Sequence, residues 1–264
     1  MSVTIKSERE ISLMRRAGEI LAETHVQLAK ALRAGMTTWE IDRLGEEIIR
    51  SYGCIPSFKD YDGYPASICV SVNDEVVHGI PSKQRFLKDG DIVSLDAGVI
   101  YKGYHSDAAR TYGIGEISQE ARRLIQVTRE CFYVGIKHAL VGNRLGEVSA
   151  AIQDYAEGHG YGVVRDLTGH GIGTQLHEDP QIPNFATKKK GIRLQEGMTL
   201  AIEPMINMGR SDVCWLDDDW TCVTEDGSLS AHYENTILIR KDGPEILSLP
   251  AEESAGWYAQ AVGA

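Results

Sequence analysis

The sequence predicts an α+β chain made of two equivalent halves, each a pair of helices followed by antiparallel strands. Two observations carry this. An offset of 107 residues lays Gly35, Glu40 and Gly53 on Gly142, Glu147 and Gly160, and lays "LKDGDIVSLD" (87–96) on "LQEGMTLAIE" (194–203). In each half, capped runs of helical periodicity precede apolar, β-branched runs. No low-complexity linker separates the halves, about 1–115 and 116–250, so they are expected to share one core in a single domain, 1–264.

The elements follow in order. Ser7 and Glu10 form a capping box ahead of Ile11, Met14, Ile20, Leu21, Leu28 and Leu32 at helical spacing, with Gly35 as the stop. Thr37 and Glu40 cap a second helix that Gly53 ends. The second half repeats the pattern from about Ser118 to Leu140 and from Leu145 to Glu157, with Gly142 and Gly160 as stops. "GDIVSLDAGVIY" and "MTLAIEPMIN" read as strands, and "TEDGSLSAHYENTILIR" places an Asp226-Gly227 hairpin signal before a long strand.

Composition narrows the function. A chain of 264 residues and 29.1 kDa with 42% hydrophobic residues has ample material for a core. The first residues lack the apolar stretch of a signal peptide, and no run approaches a membrane span, so the expected location is the cytoplasm. Five cysteines without CxxC spacing predict free thiols. A net charge of -11 argues against a nucleic-acid footprint, and the Lys188–Lys190 run reads as a solvated loop.

The chemistry lies in acids placed where strands are expected. If Tyr101 and Lys102 form a two-residue turn, paired positions in "SLDAGVIYKGYHSDAART" (94–111) sum to 203 and Asp96 faces Asp107. Like charges directly opposed repel, so a shared proton or a cation must neutralise them. In a different register, both are edge or turn residues. The repeat favours a shared purpose: Asp96 falls on Glu203, and the likeness of "HSD" (105–107) to "HYE" (232–234) sets Asp107 against Glu234. "TGHGIGTQLHEDP" (168–180) adds His170 between glycines that permit close backbone approach. Alone, such a histidine reads as structural. With four carboxylates it completes an oxygen-rich, one-nitrogen set suited to two divalent ions.

These residues, with "VNDEVVHGIP", "GHGIGTQLHEDP", "IEPM" and "HYENTILI", make the chain resemble the type I methionine aminopeptidases of pseudo-symmetric pita-bread fold, along nearly its whole length. The resemblance implies Asp96, Asp107, His170, Glu203 and Glu234 as metal ligands, with Asp107 and Glu234 bridging, and His78 and His177 as substrate-facing imidazoles. It implies a methionine pocket from Tyr61, Tyr64, Cys69, His78, Trp220 and Leu176, the last where an aromatic is common. Phe58 stands where a smaller residue is frequent. Asn73 and Ser230 fall where a structural monovalent cation is often bound. Without the resemblance, His78 and His177 read as polar loop residues, and Tyr61, Tyr64 and Trp220 as core.

The activity so implied is hydrolytic removal of the initiator methionine from nascent polypeptides when the second residue is small, by a monomer using Mn, Fe, Co or Zn. Glu203 is the expected acid and base, His177 the oxyanion donor, and His78 the group that positions the peptide nitrogen. Ribosome docking is left open, because the loop after Met208, "GRSDVCWLDDDW", is acidic. A Xaa-Pro or creatine-type hydrolase of the same fold usually carries a sizeable preceding domain, for which the capping box at Ser7 leaves no room. A metal-free binding protein is expected to have lost ligands, and the 33-residue step from His170 to Glu203 is too short for the type II insertion.

Overall fold

A computed structural model describes residues 3–250 of the chain. The expected domain span of 1–264 includes residues 1, 2 and 251–264, which lie outside the described residues. Helix α1, Glu8–Ala31, starts at its capping box, where the Ser7 backbone N–H and hydroxyl both reach the Glu10 carboxylate. Helix α2, Thr38–Ser51, starts the same way at Thr37 and Glu40. Gly35 and Gly53 lie past the helix ends at φ of 83° and 70°, where a side chain would be strained. Helix α3, Gln119–Ile136, ends before the expected Leu140, because His138 and Ala139 donate to Gly135 and Ile136 and tighten the last turn. Helix α4 spans Leu145–Gly158.

Each helix pair buries its apolar stripe on a sheet. Ile20, Leu21, Leu28, Ile41 and Ile49 of α1 and α2 pack on Ile68, Val70, Val93, Leu95 and Val99. Leu124, Phe132, Val148 and Ile152 of α3 and α4 pack on Leu200, Ile202, Ile237 and Ile239. Full burial of one such side chain stabilises by about 1.5–3 kcal/mol. The first sheet centres on Ile92–Tyr101, flanked by Ile55–Pro56, Ile68–Val72 and Tyr104–Gly113. The second runs Gly243–Ile246, Asn235–Arg240, Thr199–Ile202, Thr168–Gly171, Glu178–Pro183. All pairings are antiparallel, and two three-stranded sheets complete the described residues.

A polar seam joins the halves. The Thr236 hydroxyl donates to Asp107 O at 2.9 Å and accepts from Asp107 N at 2.8 Å. Thr111 clamps the His232 backbone from both sides, and Glu234 N donates to Ala109 O, each at 2.9 Å. Residues 107–111 and 232–236 are thereby held together.

Four expectations need correction. Lys102 and Gly103, at φ of 49° and 84°, make the turn in place of Tyr101 and Lys102, so Tyr101 pairs with Tyr104, Asp96 with Ala109 and Gly98 with Asp107. A primed turn, with positive φ at both central residues, matches the strand twist and places the glycine there. "MTLAIEPMIN" is two strands, Thr199–Ile202 and Met205–Asn207, and the long strand after Gly227 is also two, Ser230–His232 and Asn235–Arg240. Asp226-Gly227 forms a turn but no hairpin, because the strands on either side enter different sheets. The five cysteines are free, as expected, and four are buried. Among the described residues no helix is long and apolar enough to cross a membrane.

Candidate metal centre

The four acids arrive by two routes. Asp96 and Asp107 lie inside long strands as diagonal neighbours on one face, two positions from direct opposition. A shift of two residues preserves the face, so both carboxyls still converge. Glu203 and Glu234 stand at strand breaks. Pro204 has no N–H to extend the ladder beyond Glu203, whose carbonyl accepts from Asn184 Nδ2 at 2.9 Å. The Glu234 carbonyl accepts from the Arg110 guanidinium.

His170 sits in Thr168–Gly171, where no side chain fits beside it. A Cβ on Gly169 would fall 2.4 Å from Ala201 O, and one on Gly171 2.1 Å from Asp179 O. His170 Nδ1 lies 2.9 Å from Gly171 O. A carbonyl only accepts, so Nδ1 carries the proton and Nε2 presents a lone pair. That Nε2 is 3.8 Å from Asp107 Oδ2 and 3.7 Å from Glu203 Oε1.

Ligand atoms of Asp107, His170 and Glu234 gather within 4.8 Å of one another. Asp96 and Glu203 lie outside that trio but line the same cavity, of about 140 Å³. Burial lifts the Asp96 carboxyl to about 7. It pushes Asp107, Glu203 and Glu234 well above the usual carboxylate range, aided by their mutual repulsion. Burial also lowers His170 to about 3, so its ring is neutral. Asp96 Oδ1, Asp107 Oδ1 and Glu234 Oε1 are buried without a hydrogen-bond partner among the described residues. Buried acceptors left unpaired in a shared space, beside a neutral imidazole, fit divalent cations as the missing partner.

The remaining expected residues line the same cavity: His78, His177, Tyr61, Tyr64, Cys69, Leu176 and Trp220, with Phe58. His78 holds a left-handed φ of 59°, a strained conformation for a non-glycine residue, and burial lowers its pKa to about 4. His177 Nδ1 lies 2.9 Å from the Tyr61 hydroxyl, and its ring stands edge-on to His170 at 4.4 Å. Tyr64 donates to Gly79 O at 2.9 Å and meets Trp220 edge-on at 5.1 Å. Gly98 makes room for Phe58, since a Cβ there would crowd Ser57 and the Phe58 ring. Ser230 N donates to the carbonyl of Asn73, so the two residues of the expected cation site touch.

Sequence reasoning missed three features. Asp62, at φ of 48°, also lines the cavity. The Tyr61–His177 contact spans 116 residues and leaves no local signature. His232, in the "HYE" already matched to "HSD", is buried with its Nε2 3.7 Å from Glu203 Oε2.

An open cavity floored by four carboxylates and one imidazole, in this fold, has the architecture of a metallopeptidase. The chain belongs to metallopeptidase family M24, whose family model matches residues 12–241. Its relatives indicate the branch. It is 56% identical to a methionine aminopeptidase of Clostridium acetobutylicum, covering 94% of this chain and 99% of that one, and 50% identical to methionine aminopeptidase 1 of Bacillus subtilis, covering 93% and 99%. The crystal structure of a Thermotoga maritima methionine aminopeptidase superposes with a TM-score of 0.92 at 47% identity, covering 94% of this chain and all of that one. A Pyrococcus furiosus prolidase superposes at 0.75 with 23% identity, covering 92% of this chain and 65% of that one, a likeness of fold alone. The fold is therefore the α+β pita-bread fold expected.

Proposed function

We propose that the chain removes the N-terminal methionine from new polypeptides whose second residue is small. One observation carries this: five ligand-type side chains, two further imidazoles and an aromatic, thiol-lined recess face a common cavity, in a chain 56% identical to a methionine aminopeptidase. Asp96, Asp107, His170, Glu203 and Glu234 would hold two divalent ions, of Mn, Fe, Co or Zn. Bound there, such ions supply Lewis acidity toward water and the scissile carbonyl.

The chain's own residues do the rest. Glu203 takes the proton of the attacking water and delivers it to the leaving nitrogen. With the Tyr61 hydroxyl, 2.9 Å from His177 Nδ1, acting as the donor in that contact, the His177 Nε2–H is left to donate to the developing oxyanion. His78, neutral because burial lowers its pKa, positions the peptide nitrogen. Tyr61, Tyr64, Cys69, Leu176 and Trp220 enclose the thioether, and ions held by the five ligand residues would favour a free α-amine and so an N-terminal methionine.

The same reading takes the chain as one cytoplasmic, monomeric catalytic domain of two repeats, about 1–115 and 116–250. The repeated order of a helix pair followed by strands supports the repeats. A structural monovalent cation is proposed near Asn73 and Ser230, which are adjacent in the fold: the Ser230 N–H donates to the Asn73 carbonyl at 2.9 Å. The nascent chain is the partner, and the 209–220 segment is acidic where docking on ribosomal RNA would call for basic residues. The test is a panel of Met-Ala, Met-Gly, Met-Lys, Met-Leu, N-acetyl-Met-Ala and Ala-Pro peptides with metal-loaded protein, read by mass spectrometry. Met release from the first two alone is expected. Release of Ala from Ala-Pro peptides, with Met-Ala untouched, would move the chain to the Xaa-Pro hydrolases.

A further inference from the structure

We infer that His232 is a positioning residue for Glu203, donating from Nε2 to the carboxylate oxygen that faces away from His170. The Glu203 carboxylate lies between two imidazoles: His170 Nε2 is 3.7 Å from Oε1, and His232 Nε2 is 3.7 Å from Oε2. His170 has a second anchor in Gly171 O, but His232 has none. It is 1% exposed, and neither ring nitrogen has a hydrogen-bond partner among the described residues.

A buried imidazole left wholly unpaired is costly, so its surroundings need a reason to hold it there. The His232 backbone is held firmly: Thr111 Oγ1 accepts from its N–H and donates to its carbonyl, both at 2.9 Å, and His232 pairs with Met205, two residues beyond Glu203. The ring is thus delivered to Glu203 by the seam that joins the two halves. The separation exceeds a hydrogen bond, but a small rotation of the Glu203 side chain closes it, and such contacts tighten when a site is filled. The bond selects one orientation of the carboxylate, leaving Oε1 to the cavity.

This rests on the proposed role of Glu203, and the test separates the two. His232→Gln keeps a donor of similar reach; His232→Met fills similar space without one. Each is measured for Met-Ala-peptide kcat and KM, for Mn affinity by calorimetry on protein first stripped of metal, and for the melting temperature of the stripped protein. His232→Met is expected to lower kcat about 10–100-fold with KM within about threefold, and to weaken Mn binding by a similar order. His232→Gln is expected to recover most of both. Wild-type kcat and Mn affinity in His232→Met, or equal losses in both variants that follow their melting temperatures, would overturn the assignment. If His232→Met does not fold, Mn affinity and kcat of His232→Gln within threefold of wild type, beside losses in His232→Phe, decide the matter the same way. Failure of the wild-type protein to cleave Met-Ala refutes instead the reading on which this rests, and the Mn titrations still report on His232.

Discussion

The two acidic pairs are mounted in opposite ways. Asp96 and Asp107 sit within ten-residue strands whose ladder is unbroken on both sides of each acid. Glu203 and Glu234 sit where strands stop and restart. The shorter aspartate carries its carboxyl close to a rigid backbone, so its position is set by strand register. Glutamate has one more rotatable bond, so its position depends on what grips the backbone and the carboxylate: Pro204, Asn184 and His232 for Glu203, and Ala109 and Arg110 for Glu234. One half supplies fixed acids and the other supplies adjustable ones. A residue that is both ligand and proton carrier belongs on the adjustable side.

The largest expected effect comes from removing the adjustable acid's chemistry. Glu203→Gln keeps size and weakens one ligand, and a fall in kcat of about 10²–10⁴-fold is expected. Exhaustive demetallation is expected to abolish turnover, with Mn or Co restoring it. Full activity in protein shown metal-free by elemental analysis would sink the metallohydrolase reading.

Exchanging side-chain lengths tests the comparison itself. Asp96→Glu pushes a longer arm into a space fixed by register, whereas Glu234→Asp withdraws a carboxylate whose backbone is pinned. Both are expected to weaken Mn binding by at least the roughly 10–100-fold that changes around a ligand cost. Asp96→Glu is expected to be the worse, since its rigid strand cannot retreat. The measurement is calorimetric Mn titration of both variants, and equal losses would remove the distinction between fixed and adjustable acids.

How far the sequence showed this in advance depends on the range of each interaction. Capping boxes at Ser7 and Thr37 are local, and both helices start where expected. The acids were legible because their motifs recur across the halves, and His170 because it stands between glycines and completes their ligand set. The register was not, because Tyr101-Lys102 and Lys102-Gly103 turns share a face and differ only in which residues take positive φ. The breaks at Glu203 and Glu234 were hidden inside apolar runs, although Pro204 was a visible signal for the first. Tyr61 and His177, and likewise His232 and Glu203, meet only through tertiary packing.

The Tyr61–His177 contact carries a smaller effect. His177→Ala is expected to lower kcat about 10²–10³-fold as an oxyanion donor is lost. Tyr61→Phe, which leaves the imidazole in place but frees its tautomer, is expected to cost about tenfold in kcat. Steady-state kinetics on Met-Ala peptides distinguish the roles: if His177→Ala raised KM alone, the residue would be a binding group.

The smallest effect is on stability, and it reads the acids together. In the metal-free protein, burial holds the Asp96 carboxyl at about 7, against 3.8 in an unfolded chain, and lifts Asp107, Glu203 and Glu234 in the same direction. The folded state therefore keeps protons that the unfolded chain releases. The stability tied to these groups is fully present below about pH 4 and, for Asp96, is lost as pH rises to about 7. His170 and His232, lowered to about 3 by burial, act in the opposite sense and favour the folded state increasingly as pH rises from about 3 to about 6.5. Their effects overlap in the metal-free melting curve, so the informative quantity is the gain on adding Mn. Cations bind the deprotonated acids, so that gain grows with pH, while His170 is already neutral across this range. Melting temperatures at pH 5, 6, 7 and 8, with chelator and with saturating Mn, are expected to diverge steadily as pH rises. A gain independent of pH would mean that the buried acids are already ionised without metal, contrary to their burial in a shared cavity.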